Sequence, residues 1–161
     1  MKITFFQTGG SIDKDYPRIL QSYAFEIGSP SVKRILQRAK PNLSYRIITL
    51  FRKDSLDMTH ADRMLVRHAC LRCRYSNIII THGTDTMIQT AKYLQHIPDK
   101  VIILTGAIRP ETCIESDAAF NVGTAVGAIG YLPQGVYIAM NTRIYPWNTC
   151  RKDASCQFIE K

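Results

Sequence analysis

The sequence has no run of about eighteen apolar residues, so neither a membrane-spanning helix nor a membrane partner is expected. It also has no block of five or six like charges, although 21 Lys and Arg against 13 Asp and Glu give a formal net charge of +8. Charge scattered from Lys2 to Lys161 fits a basic solvated surface better than a nucleic-acid footprint, so nucleic acid is disfavoured as a partner. Five cysteines are an odd number in a chain that is not small and loop-rich, which argues against a disulfide framework. Cys70-Leu71-Arg72-Cys73 lacks a second CxxC and a nearby His pair, so a zinc site would be short of its four ligands. Buried thiols and no metal are expected there; Cys150 and Cys156, which flank a possible site, are not covered by that reading. Neither GxGxxG nor GxxxxGK[ST] occurs, so dinucleotide and P-loop phosphate binding are unsupported and no cofactor is implied. Internal repeats, low-complexity stretches and linkers are missing too. Met1–Gln7 has one strand's length of apolar residues and runs straight into a turn, so it reads as a strand, not a signal peptide, and the expected setting is the cytoplasm.

What is present is an alternation. At 161 residues and 45% hydrophobic content the chain reads as one domain with a real core, residues 1–161. Strands are expected at 2–7, 45–50, 77–80, 101–104 and 135–139. Helices are expected at 30–39, 59–74, 86–94 and 116–129. The helix from Thr59 opens on a capping-box variant with Asp62, and its apolar side is read as Leu65, Ala69 and Cys73, opposite the arginines. The small residues Ala118, Ala119, Gly123, Ala125, Gly127 and Ala128 would let the last helix approach a sheet closely. The tail 141–161 reads as irregular. Strict alternation implies a three-layer, doubly wound α/β domain with a mostly parallel sheet, flavodoxin-like.

In such sheets ligands bind beyond the carboxyl ends of the strands. Four of those ends carry polar loops: Thr8-Gly9-Gly10-Ser11, Asp54-Ser55-Leu56-Asp57-Met58, Thr81-His82-Gly83-Thr84-Asp85-Thr86-Met87 and Thr105-Gly106-Ala107-Ile108-Arg109-Pro110. Together they would line one crevice. The third is the most informative, because packing does not require a Thr-Asp pair on a turn after a buried strand. Glycines at 9 and 10 would bring backbone N–H groups close to a ligand, and Ser11 would present a hydroxyl.

A hydroxyl nucleophile needs a base. His60, His68 and His96 fall on helix starts, middles or ends and read as surface or packing residues; His82 reads as turning its loop. That leaves a lysine, whose pKa must fall to serve. Lys152, with Arg151 beside it, is the candidate, and Asp85 could orient it.

At this point the segments resemble those of the L-asparaginase/glutaminase family. Thr8-Gly9-Gly10-Ser11-Ile12 is similar to its first signature, usually Thr-Gly-Gly-Thr-Ile, and Thr81–Met87 matches its second in full. Gly106–Pro110 looks like Gly-Ala-Met-Arg-Pro, and 117–121 looks like the stretch after it. The resemblance runs from residue 2 to about 153. It implies hydrolysis of the side-chain amide of asparagine, and in part of glutamine, through an acyl-enzyme. It places Ser11 as nucleophile and Thr84, Asp85 and Lys152 as a cluster, Lys152 through alignment of Met140-Asn141 with the family's Met-Asn. Ser55 matches a residue that binds the substrate's α-carboxylate. Either Tyr16 or Tyr23 would assist the nucleophile, with Tyr16 slightly favoured. Gly10, Tyr23, Asp54, Leu56, Gly83 and Ala107 complete the substrate-facing set.

The chain departs from the family pattern at three points. Ser11 stands for Thr, so the hydroxyl is less restrained at χ1. Leu56 stands where long members often have Gln. A second domain, which in long members reaches a neighbouring subunit's substrate, is not expected here. The chain thus resembles the short, single-domain members, and a homo-oligomer is expected. Two other readings compete with an active amidohydrolase. One is a module that binds a small amino acid with little turnover. The other is a glutamine-hydrolysing ammonia donor for tRNA-linked amidation.

Overall fold

A computed structural model describes residues 1–16 and 25–161. Strand β1 (Lys2–Gly9) ends at a 3-10 turn (Ser11–Asp13), and two short strands, β2 (Lys14–Asp15) and β3 (Glu26–Ile27), pair antiparallel. Then come α1 (Ser31–Ala39), β4 (Ser44–Lys53), a second 3-10 turn (Ser55–Asp57), α2 (His60–Arg72) and β5 (Asn77–Thr81). The chain continues through α3 (Met87–Leu94), β6 (Val101–Thr105), α4 (Ala118–Ala128), β7 (Gly135–Met140), β8 (Arg143–Pro146), β9 (Cys150–Lys152) and β10 (Phe158–Glu160).

The main sheet has the order β4-β1-β5-β6-β7-β8, parallel except for β8. Its five parallel strands therefore follow the flavodoxin-like order, with an antiparallel strand added at the edge. Strand side chains alternate between two cores. Ile78, Ile80, Ile102, Leu104 and Ile138 pack with Val66 and Cys70 of α2 and Met87, Ala91 and Leu94 of α3. Ile3, Phe5, Ile79, Ile103 and Ala139 pack with Val32, Ile35 and Leu36 of α1 and Ala118, Val122 and Ala125 of α4. Burial on both faces is why β5 and β6 are continuous apolar runs.

The Thr59–Asp62 capping box forms as expected, Asp62 N–H donating to Thr59 Oγ1 (3.2 Å) and Thr59 N–H to Asp62 Oδ2 (2.8 Å). Three expectations are corrected. The tail is not irregular: Asn141 (φ 51°) and Thr142 (φ 68°) form a two-residue turn that folds β8 back on β7, and β9 pairs with β10. Two positive φ values are the primed hairpin geometry. The buried face of α2 is Arg63, Val66 and Cys70; of the three residues expected there, Cys73 is buried and Ala69 packs against the same core, but Leu65 is 47% exposed. Arg63 turns inward because its guanidinium finds Met58 O (2.6 Å), Thr59 O (3.2 Å), Thr86 Oγ1 (3.0 Å) and Gln89 Oε1 (3.3 Å). On α4, Ala118 and Ala125 do pack inward, but Gly123 and Gly127 face open space.

Candidate functional site

The strand order reverses between β1 and β5, and their carboxyl ends carry the two polar turns side by side. Gly10 (φ 88°) lies directly on the second turn: a Cβ there would sit 2.3 Å from both Gly83 Cα and Gly83 N. Gly83 in turn lies on the loop after β4, where a Cβ would meet Ser55 Cβ and Oγ at 2.7 Å. Both contacts exclude any side chain, so these glycines set how closely the loops approach.

Thr84 and Asp85 follow on the turn before α3. Lys152 reaches them from β9: its Nζ donates to Thr84 Oγ1 at 2.9 Å and to Asp85 Oδ1 at 2.5 Å. Thr84 is buried, the Lys152 side chain is 17% exposed, and the Asp85 carboxylate is half open to water. A hydroxyl, an amine and a carboxylate in hydrogen-bonded series can hold or move one proton. Ser11 is half-buried on the neighbouring turn.

On the β4 side, Asp54 accepts from Leu56 N–H (3.3 Å) and pairs with Lys14 (3.1 Å). Burial pushes its carboxyl up, but the Lys14 contact and the Leu56 amide outweigh this and hold it below the usual carboxylate range. Ser55 is fully buried, and among the described residues its Oγ has no partner. A buried hydroxyl without a partner is uncommon in a settled core. The Ser55 carbonyl is fixed by Thr86 Oγ1 (2.8 Å), which Arg63 also contacts. Leu56 is 71% exposed. Ala107 is buried in the core that also holds Ile12 and Ala118.

His82 is fully buried, with Nδ1 2.7 Å from Gly83 O and Nε2 2.8 Å from Thr90 Oγ1. A carbonyl can only accept, so Nδ1 carries the proton and Nε2 accepts from Thr90. Burial drives the imidazole pKa down to about 4, which keeps the ring neutral. His82 therefore braces the turn, as its position suggested.

The fold thus brings together Gly10, Gly83, Ser55, Thr84, Asp85 and Lys152. It does not bring Tyr16 to Ser11: Tyr16 is 76% exposed, its ring against Phe25 with centroids 5.2 Å apart. Tyr23 lies outside the described residues. Sequence reasoning passed over Asp13, which is fully buried two residues after Ser11 and accepts Ser31 N–H (2.8 Å) at the start of α1. Burial raises its carboxyl to about 6. A lone acid next to Ile12 carried no pattern that would have revealed it. Cys70 and Cys73 are buried and unpaired, as expected of structural thiols. Among the described residues, no His, Cys, Asp and Glu cluster has the makings of a metal site.

An open, mostly parallel α/β domain with hydroxyls, a carboxylate and a lysine gathered at its topological switch point is the class this architecture defines. Residues 2–158 match the family model "Asparaginase, N-terminal", and the chain belongs to that family. It is 29% identical over 154 residues to "L-asparaginase 2-3" of Saccharomyces cerevisiae, a match covering 88% of this chain and 42% of that protein. It is 37% identical over 75 residues to the "Glutaminase-asparaginase" of Acinetobacter glutaminasificans, covering 44% of this chain and 23% of that one. The thermostable L-asparaginase from Thermococcus kodakarensis superposes with a TM-score of 0.86 at 27% identity, over 99% of this chain and 51% of that one. The chain therefore spans about half the length of its relatives, or less.

Proposed function

We propose that this protein hydrolyses the side-chain amide of L-asparagine, and also that of L-glutamine, releasing ammonia through an ester on Ser11. The observation that carries this is Lys152 Nζ, 2.9 Å from Thr84 Oγ1 and 2.5 Å from Asp85 Oδ1, on the turn that Gly10 packs against. Ser11 Oγ attacks the amide carbon. Backbone N–H groups of the glycine turn and the Thr84 segment hold the oxyanion. Lys152, oriented by Asp85, takes the Ser11 proton through the Thr84 hydroxyl, and the same relay returns it to the leaving ammonia. Water then releases aspartate by the reverse sequence. Ser55, with its buried and unpartnered hydroxyl, receives the substrate's α-carboxylate beside Gly83. Gly10, Asp54, Leu56 and Ala107 belong to loops that face the substrate. The names of the relatives support the substrate class.

The test is ammonia release with L-asparagine, L-glutamine and D-asparagine. Lys152→Met and Thr84→Ala should each lower kcat by roughly a hundredfold or more. Retention of full kcat by either variant would remove its residue from the mechanism.

One observation favours a second reading, a binding module with little turnover. Tyr16, expected to assist Ser11, is 76% exposed and packs on Phe25 instead. Saturable asparagine binding by calorimetry, with no ammonia, would establish it.

Self-association is part of the proposal. Tyr16, Phe25, Ile108 and Ile114, four exposed apolar side chains on and near the loop after β6, suit a second copy. Light scattering that gives a monomer at assay concentration would dismiss it. Five unpaired cysteines accord with a reducing cytoplasmic setting. Among the described residues, no helix is long and apolar enough to cross a membrane.

A further inference from the structure

Lys152 is not carried by the main sheet. It sits on β9, whose three residues pair, among the described residues, only with the three of β10. A two-stranded ribbon of that length has little stability of its own. Its attachment to the body of the protein therefore decides where Lys152 points.

The register identifies that attachment. Phe158 is the residue directly opposite Lys152. Its backbone groups go to other parts of the protein: the amide donates to Asn141 Oδ1 at 2.8 Å, and the carbonyl accepts from Tyr145 Oη at 2.7 Å. Its side chain is 2% exposed, in the core with Tyr145 and Cys150. Asn141 is held in turn. Its own N–H donates to Asn121 Oδ1 at 3.1 Å. Asn121, buried on α4, donates from Nδ2 to Gly106 O (3.0 Å) and Asp117 Oδ2 (2.8 Å). The Asp117 carboxylate collects the N–H groups of Ile108 (3.0 Å) and Arg109 (3.1 Å). One hydrogen-bonded series thus runs from the loop after β6, through α4 and the β7–β8 turn, to the residue opposite Lys152.

We propose that Asn141 is a positioning residue for Lys152, acting through its side-chain oxygen on the Phe158 amide. This rests on the reading of Lys152 as the base of an amide hydrolysis. A plainer role is available, because Asn141 has a φ of 51° and asparagine tolerates that region better than most residues. The two roles differ in what they need. The turn needs only a residue that accepts positive φ. Positioning needs an acceptor oxygen.

Two substitutions separate them. Asn141→Gly suits the turn and removes the oxygen; Asn141→Asp keeps an oxygen and tolerates the turn. Positioning predicts that Asn141→Gly lowers kcat for asparagine by about ten- to a hundredfold with KM nearly unchanged, since displacement of a catalytic group by about an ångström has that effect. Asn141→Asp should retain most of kcat. A second readout does not depend on turnover. Limited acetylation with acetic anhydride, read by peptide mass spectrometry, should modify Lys152 several-fold faster in Asn141→Gly than in wild type or Asn141→Asp. Unchanged kcat and unchanged Lys152 acetylation in Asn141→Gly would overturn the proposal, as would equal losses in both variants. If the wild type releases no ammonia but acetylation rises in Asn141→Gly alone, the positioning role stands and the hydrolysis reading falls.

Discussion

Gly10 and Gly83 meet backbone to backbone, so that a methyl group on Gly10 would lie 2.3 Å from Gly83 Cα. This contact joins the turn bearing Ser11 to the turn bearing Thr84 and Asp85. Both partners of the contact are main chain, and no side chain can swing away to relieve it. Gly10 also has a φ of 88°, where an L-residue is strained. Gly10→Ala should therefore destabilise the protein by about 3 kcal/mol or more, the sum of overpacking and strain. Urea unfolding reads the stability, and an Ala variant within about 0.5 kcal/mol of wild type would mean the two turns separate freely.

Ser55 should show opposite signs in two measurements. Its Oγ is buried without a partner, a state that costs about 1–3 kcal/mol while no ligand is bound. Ser55→Ala should hold or raise stability by about 1 kcal/mol. A hydrogen bond to a charged carboxylate is worth roughly 1.5–3 kcal/mol, so KM for asparagine should rise about ten- to a hundredfold. Lower stability with an unchanged KM would assign Ser55 to packing alone.

Asp13 and His82 make pH dependence a matter of two opposed terms. Burial raises Asp13 from 3.8 to about 6, against the hydrogen bonds from Ser31 and Gln7 and the weaker attraction of Arg34. Between about pH 4 and 6 the native Asp13 keeps a proton that the unfolded chain has released, so its contribution to stability falls as pH rises. Burial lowers His82 from 6.5 to about 4. In that window the unfolded chain binds a proton that native His82 does not, so its contribution grows as pH rises. Each amounts to roughly 3 kcal/mol across its range, and together they nearly cancel. Asn at position 13 can still accept the Ser31 amide. Asp13→Asn should thus match wild type near pH 4 and exceed it at pH 7, by an amount approaching that figure. Urea midpoints at pH 4, 5, 6 and 7 give the curve, and a difference independent of pH would refute the assignment.

Legibility in the sequence followed the range of the interactions. Ile78, Ile79 and Ile80 read as a strand because both faces of β5 are buried, so the run itself carries the signal. The turn from His82 to Thr86 was legible because polar residues interrupt that run abruptly. Lys152 was different. It lies 68 residues from Thr84, so its residue type made it a candidate, and the family's Met-Asn register aligned it with the cluster. The β7–β8 hairpin was missed because Asn141-Thr142 has no glycine, and a β-branched residue is a poor signal for positive φ. Arg63 was assigned to solvent because arginines usually are. Its long-range partners, the side chains of Thr86 and Gln89, become neighbours only after α3 packs beside α2.

The thiols offer a test that needs no substrate. Cys70, Cys73 and Cys150 are buried, whereas Cys113 and Cys156 are partly exposed. Burial pushes the Cys70 thiol up to about 12 and raises that of Cys150 as well, so neither forms a ready thiolate. Cys73 is occupied, its Sγ donating to Thr4 Oγ1 at 3.3 Å, and this ties the end of α2 to β1. Thiolate fraction and access together set thiol reactivity. Ellman's reagent should therefore titrate two thiols quickly in the native protein and all five in denaturant. Peptide mapping should place the fast pair at Cys113 and Cys156. Rapid labelling of Cys70 or Cys73 in the folded protein would reopen a redox role for that CxxC, because it would mean the end of α2 opens under native conditions.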